Sequence, residues 1–467
     1  MRGFLFYCLV TGSLVSGQIP DLPIVGKATA ATPFGLPNVT GPGTRSSVPP
    51  VAHKSTISEY RNLNQSRASE IIRLDVEQNE KRIREETAYR KTFLLEPMSG
   101  KKGTQAYYTA FNNLLHLNPD DYSLTDAVFL VENAYYNNDK NFQNTFQASV
   151  QRATDFLRNG VKGSDIQQLD NLSKNLAIFK YFTQDTKQNG KIVHRAVKYD
   201  FDDYLGQGDY SKMFVSKLMK SNSGQCHSMP LLYLILAEQI GAEAHLVMSP
   251  NHSYIRFKDD NNEDLSIELT NGMFSANSFV LNSGYIKAEA LKNKLYMKDL
   301  SKREVLSQTF VDLASGYIHK YGYDEFVASV LDRALILNPN NINATLWKSN
   351  TDQVRFLQAC ARFDINPEDR EQLQKIRGIP PLAQQFHEIN SGFEYIDQSG
   401  YSEMPPEQYQ NWLTSFSASE NKQKSDEIAE KIRMITQQKQ REAAKKMKPM
   451  TPKPEAPKLY KIPKEFL

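Results

Sequence analysis

Cys226, His252 and Glu268 are the residues whose types and order could do covalent chemistry. Cys226 lies in Gly224-Gln225-Cys226-His227-Ser228-Met229-Pro230, directly before the apolar run Leu231–Ile240. His252 follows 26 residues later in Pro250-Asn251-His252-Ser253-Tyr254, and Glu268 follows 16 residues after that. A thiol becomes a nucleophile when its pKa is lowered by a helix N-terminus or a neighbouring imidazole. A carboxylate behind the imidazole fixes its tautomer and stabilises its charged form. The chemistry expected of such a set is thiol attack on an acyl carbon, with His252 as base and acid and Glu268 as orienting carboxylate.

The elements that must position these groups can be read from the same stretch. Ser223 is expected to cap a helix with Cys226 in its first turn, where unpaired N–H groups favour a thiolate. Pro230 is tolerated that early, because first-turn amides lack intrahelical partners. Leu231–Leu236 is apolar all round, which suits a buried central helix. Strands are expected over 243–249, 252–258 and 264–270, with a turn at 259–263. Alternation puts His252, Tyr254 and Arg256 on one face, and Ser266, Glu268 and Thr270 on one face of the next strand. A hairpin then makes His252 a direct or diagonal neighbour of Glu268 or Thr270. The backbone N–H of Cys226 is the first candidate for an oxyanion donor, with Gln225 or Asn222 as a second, and Tyr254 as a cleft wall. A metal site built from His194, His227, His245, His252 and Cys226 is the competing chemistry. It is disfavoured because Cys226 and His227 are adjacent and no C-x-x-C or H-x-x-x-H pair occurs. No cofactor is expected, and His227 and His245 read as packing or surface residues.

A cysteine at the head of a buried helix, then His on one strand and an acid on the next, resembles the transglutaminase-like core of the papain-like cysteine enzymes. Gly224-Gln225-Cys226, Asn251-His252-Ser253-Tyr254 and Ile267-Glu268-Leu269-Thr270-Asn271-Gly272 carry the resemblance. It covers about residues 190–285, a fifth of the chain. It implies an α+β domain with a central helix on an antiparallel sheet, and Cys226, His252 and Glu268 as nucleophile, base and orienting acid. The family more often has an aspartate at the third place. Some members have lost activity, so a non-catalytic interaction or envelope scaffold module remains the alternative reading.

The 467 residues are too many for one small core. Residues 1–17, with Arg2 before the apolar run 4–15, read as a signal peptide, which places the mature chain outside the cell or in a bacterial periplasm. No integral membrane segment is expected after cleavage. Residues 18–55, rich in Pro, Gly, Thr and Ala, read as a linker, and 56–103 as a charged helix. Helical regions are expected over 104–189, with Ser123 capping one helix, and over 286–365 and 366–444. The motif Leu331–Asn340 resembles the second helix and exit turn of a tetratricopeptide repeat, but no period of about 34 residues supports an array.

Residues 445–467 read as a basic disordered tail. From Lys439 onward nine Lys/Arg stand against three Asp/Glu, so the remainder carries −3 of the net +3. The body is therefore not a basic nucleic-acid surface. The expected partners are a protein or peptide substrate, and a protein bound through the helical flanks. Without the leader only Cys226 and Cys360 remain, so the chain is no disulfide scaffold, a single Cys226–Cys360 bond being the alternative. Sequons stand at Asn38, Asn64, Asn171, Asn251 and Asn343. A glycan on Asn251 would block the cleft, which favours a bacterial envelope.

Overall fold

The computed structural model describes residues 80–160, 165–415 and 419–446, with Glu70, Arg73, Leu74, Val76, Glu77 and Gln78 before them. The expected signal peptide, linker, Asn38, Asn64 and most of the basic tail lie outside the described residues. The chain divides into two compact units, Met1–Gln78 and Asn79–Leu467. In the first, the described residues are helical and exposed. The second carries everything below, starting with an exposed, charge-rich helix over 80–91 (α1).

Helices and sheet are largely segregated, an α+β arrangement. Helices α2 (Thr104–Leu115), α3 (Leu124–Tyr135), α4 (Lys140–Gly160) and α5 (Asn171–Thr183) come first. Ser123 caps α3 as its sequence predicts, its hydroxyl accepting from Asp126 N. Asn189 and Gly190, both left-handed, close a hairpin between β1 (Thr186–Gln188) and β2 (Lys191–His194). That first strand falls where only helix was expected. Next come β3 (Lys198–Tyr199), α6 (Val215–Ser221), β4 (Ser223–Gly224) and the central helix α7 (Ser228–Ile240). Eleven of the 13 residues of α7 are buried, as an all-round apolar sequence demands.

The sheet is an antiparallel meander of β5 (His245–Ser249), β6 (His252–Lys258), β7 (Asp264–Glu268) and β8 (Met273–Ser275). Ile255 pairs with Ile267 and Arg256 with Ser266. Asp259 organises the turn by accepting from the N–H groups of Asn261 and Glu263. On one face Ile255, Phe257 and Ile267 join α5 and α7 in the main core. The other face, with His252, Tyr254 and Arg256, is not a solvated polar face: all three are buried. Short helices α8 (Asn277–Leu281) and α9 (Ala288–Lys292) follow. The segment around them covers that face, tied by Arg256 to Asn277, Met297 and Asp299.

Helices α10 (Lys302–Tyr321) and α11 (Glu325–Leu337) pack with α2, α3 and α7 in one continuous core. A capping box between Ser301 and Glu304 starts α10. Asn338-Pro339-Asn340 then leads into α12 (Ile342–Arg362). After α13 (Arg370–Leu373) come α14 (Pro380–Ser399), α15 (Pro406–Ser415) and α16 (Ser419–Lys446). Helix α16 runs beside the edge strand β8, where Ser425 accepts from Phe274 N, so the sheet edge is covered. Among the described residues no helix is long and apolar enough to cross a membrane.

Candidate active site

Cys226 is placed by a short strand and a turn, not by the helix start expected from sequence. Asn222 ends α6 in the left-handed region, and Ser223–Gly224 pairs with Lys198–Tyr199 in parallel. Ser223 is thus a strand residue and not a cap. A side chain on Gly224 would place its first carbon 2.5 Å from Leu218 Cδ1 and 2.8 Å from Ser228 Oγ. Only glycine fits between α6 and α7 there. The turn at Cys226 is closed by Met229 N donating to Gln225 O and by Ser228 Oγ accepting from Gln225 N. This is half of a capping box moved two residues beyond Ser223. Cys226 therefore precedes α7 by two residues while keeping first-turn geometry. Ser253 Oγ donates to Cys226 O, so this turn is pinned to β6.

His252 opens β6 after the two-residue turn Pro250-Asn251, whose Asn251 is left-handed. Its Nε2 lies 2.7 Å from Glu268 Oε2, and neither side chain has more than 2% exposure. Continuing the β6–β7 register sets Glu268 opposite Tyr254, so the contact with His252 is diagonal. Glu268 Oε1 accepts from both the N–H and the hydroxyl of Thr270. A carboxylate at Nε2 keeps the proton on that nitrogen, which leaves Nδ1 to face Cys226. The three groups singled out by sequence are thus together.

Electrostatics follow from these contacts. Burial pushes the Cys226 thiol up, but hydrogen bonding and charge from His252 outweigh it and hold the thiol below its ordinary value. Burial alone would lower the His252 pKa, yet the Glu268 carboxylate and the thiol raise it to about 10. The two shifts favour one state, a Cys226 thiolate beside a His252 imidazolium.

The other candidates separate. Asn222 spends its amide on the carbonyls of Arg195 and Ala196, and Gln225 Nε2 donates to Asp203 O. Of the oxyanion donors expected from sequence, the Cys226 N–H is the one not engaged by these side-chain contacts. Tyr254 is fully buried and its hydroxyl accepts from Arg256, so it is a support and not a cleft wall. His194 Nε2 donates to Tyr181 O and its ring stacks on Tyr181. Among the described residues no group of three or more His, Cys, Asp or Glu could hold a metal. Cys226 and Cys360 are both free. Asn251 donates its amide to Met404 O, so the nitrogen that would carry a glycan is engaged.

Two features escape the sequence reading. His227, expected as a packing or surface residue, lines a cavity of about 280 Å³ together with Cys226 and His252, and its Nε2 lies 3.3 Å from Asp312 Oδ2. Burial would lower its pKa, but Asp312 outweighs this and raises it. The second feature is the segment around α15. Tyr409 Oη lies 3.0 Å from His252 Nδ1, and Trp412 stands edge-on to the His252 ring at 5.2 Å. The signal available in sequence was the aromatic pair Tyr409 and Trp412 just after the break at Pro405-Pro406. Compared with protein-family models, curated proteins and solved structures, the chain matches none.

Proposed function

We propose that this chain is an exported, transglutaminase-like cysteine enzyme that cleaves amide or peptide bonds through Cys226, His252 and Glu268. The observation that carries the reading is the buried relay: thiol beside His252, and His252 Nε2 2.7 Å from Glu268. The Cys226 thiolate attacks the amide carbonyl, forming a C–S bond and a tetrahedral oxyanion against the Cys226 N–H. Collapse breaks the C–N bond, and His252 gives its Nδ1 proton to the departing amine. Water, losing a proton to the now neutral His252, attacks the thioester. The acid is released, and thiolate and imidazolium are restored. Glu268 keeps the imidazole oriented throughout and stabilises it whenever it is charged. Export rests on Arg2 and the apolar run after it, and a peptide or protein is the substrate class.

A second reading is a protein-interaction module with a vestigial triad. It is favoured by the burial of Cys226, which is only 6% exposed under Tyr409 and Trp412. Alkylation of Cys226 by iodoacetamide against pH, mapped by peptide mass spectrometry, decides between them. The enzyme reading expects a midpoint clearly below that of an ordinary thiol, near 8.5. A midpoint at or above that value favours the interaction module.

A further inference from the structure

The Cys226–His252 pair has two sides. One opens into the cavity bordered by His227 and Asp312. The other meets an aromatic groove walled by Tyr199, Tyr204, Phe279 and Tyr285, and this groove is full. Its occupants are Met404, Tyr409, Trp412 and Leu413 of the chain itself, all buried. Tyr409 stacks on Tyr204 with ring centres 5.3 Å apart, and Trp412 stacks on Phe279 at 5.6 Å. The carbonyl of Met404 accepts from Asn251 Nδ2 at 2.7 Å, immediately before His252.

Tyr409 also takes the one imidazole nitrogen that catalysis needs. Nε2 is committed to Glu268, so Nδ1 must exchange the proton with the thiol, and Tyr409 Oη lies 3.0 Å from it. The Cys226 thiol meanwhile points to Asn251 O at 3.7 Å. Burial and the neighbouring thiolate hold the Tyr409 phenol neutral, so it remains a hydrogen-bond donor.

The segment is built so that it can leave. Only one face of α15 is buried, while Glu407, Gln408, Gln410, Asn411, Thr414 and Ser415 are exposed. Its apolar residues form a small cluster with Cys226 and Phe279 and are absent from the main core. Its departure would take no side chain out of the main core that packs α7 against the sheet.

We propose that the aromatic groove beside Cys226 is a subsite for an aromatic-bearing peptide, and that residues 404–413 sit in it as an intramolecular inhibitor displaced before turnover. This deepens the enzyme reading above and rests on it. Flat walls of Tyr and Phe reward an aromatic side chain through stacking and offer a carboxylate nothing. Asn251 would capture a substrate carbonyl as it now captures that of Met404.

The test is the alkylation rate of Cys226 by iodoacetamide in the full chain, with a synthetic peptide of residues 404–413 as the probe. Tyr409→Phe keeps the ring and removes the hydroxyl. Its profile should move to higher pH, because a donor to the thiolate is lost. The rate at the top of that profile should rise roughly 10-fold, because Nδ1 and the sulfur are released. In Tyr409→Ala/Trp412→Ala the rate should rise further, and the added peptide should return it toward wild type while a scrambled peptide does not. The proposal is overturned if Tyr409→Phe leaves the top rate unchanged or lower, which would make Tyr409 a support of the thiolate. It is equally overturned if the double variant, with unchanged circular dichroism, is not protected by the peptide. Should the double variant unfold, Tyr409→Phe still decides. An ordinary thiol midpoint in wild type and variants alike would sink the enzyme reading, whereas a low midpoint without peptide protection would sink only this inference.

Discussion

Cys226 and Cys360 are both buried and both free, yet their thiols are driven in opposite directions. Cys360 sits on α12 among Phe93, Phe356, Ile365 and Leu382, and burial pushes its thiol up to about 11. Cys226 suffers the same penalty and still ends below the ordinary value, because His252 adds a hydrogen bond and a positive charge. Burial makes a cysteine inert, and a charged partner inside the same burial reverses that. The difference is held by one diagonal contact, between His252 on β6 and Glu268 on β7.

The strongest way to break the contrast is to remove the partner. His252→Ala should remove the largest influence that opposes desolvation, leaving only the weaker ones of Tyr409 and His227, and move the Cys226 alkylation midpoint above the ordinary thiol value, toward that of Cys360. At neutral pH the thiolate fraction, and with it the rate, should fall by about 100-fold or more, since each pKa unit is a factor of ten. Glu268→Gln should do less. Gln still accepts from Nε2–H but withdraws the charge, so the His252 pKa drops from about 10 toward its ordinary value. The thiolate–imidazolium state then loses the upper end of its pH window, and activity should fall on the order of 10-fold. Peptide-mapped alkylation across pH 4–11 reads both. A Cys226 midpoint unmoved in His252→Ala would mean that the burial contrast has another cause.

Sequence exposes this contrast only where a period carries it. His252 and Glu268 share a parity with two-residue alternation on either side, and the turn at 259–263 fixes the hairpin, so their meeting was legible. The exact placement of Cys226 was not. Ser223 has the chemistry of a cap, but pairing with Lys198 draws it into a strand and passes the capping role to Ser228. Strand alternation likewise says which residues share a face and nothing of what covers it, so the burial of His252, Tyr254 and Arg256 leaves no mark in the sequence. Tyr409 lies 157 residues from His252, and such a contact leaves no periodic mark. His227 reads as a packing or surface residue in sequence because its partner Asp312 comes from a helix 85 residues downstream.

Cys360→Ser sharpens the comparison from the inert side. A hydroxyl placed among Phe356, Ile376 and Leu382 should cost on the order of 1–3 kcal/mol, measured by denaturant unfolding. The alkylation profile of Cys226 should not change. A shift in that profile would show that the two thiols are coupled, and the contrast between independent environments would fail.

The smallest expected effect comes from the second histidine. Asp312 holds the His227 pKa above its ordinary value against burial, which favours the positively charged ring beside Cys226. A positive charge favours the thiolate, and His227 adds to the lowering of the Cys226 pKa, after His252 and Tyr409. In Asp312→Asn the main opposition to burial is lost, so the His227 pKa should fall and its positive charge should weaken. The Cys226 midpoint should then rise, with alkylation below that midpoint slowed about two- to five-fold, since only a secondary charge is lost. The rate at the top of the profile should stay as in wild type, because His252 Nδ1 and Glu268 are untouched. The ranking is itself the test. If Asp312→Asn shifts the midpoint more than Glu268→Gln does, the pair behind Cys226 is His227–Asp312, and His252–Glu268 takes the supporting role.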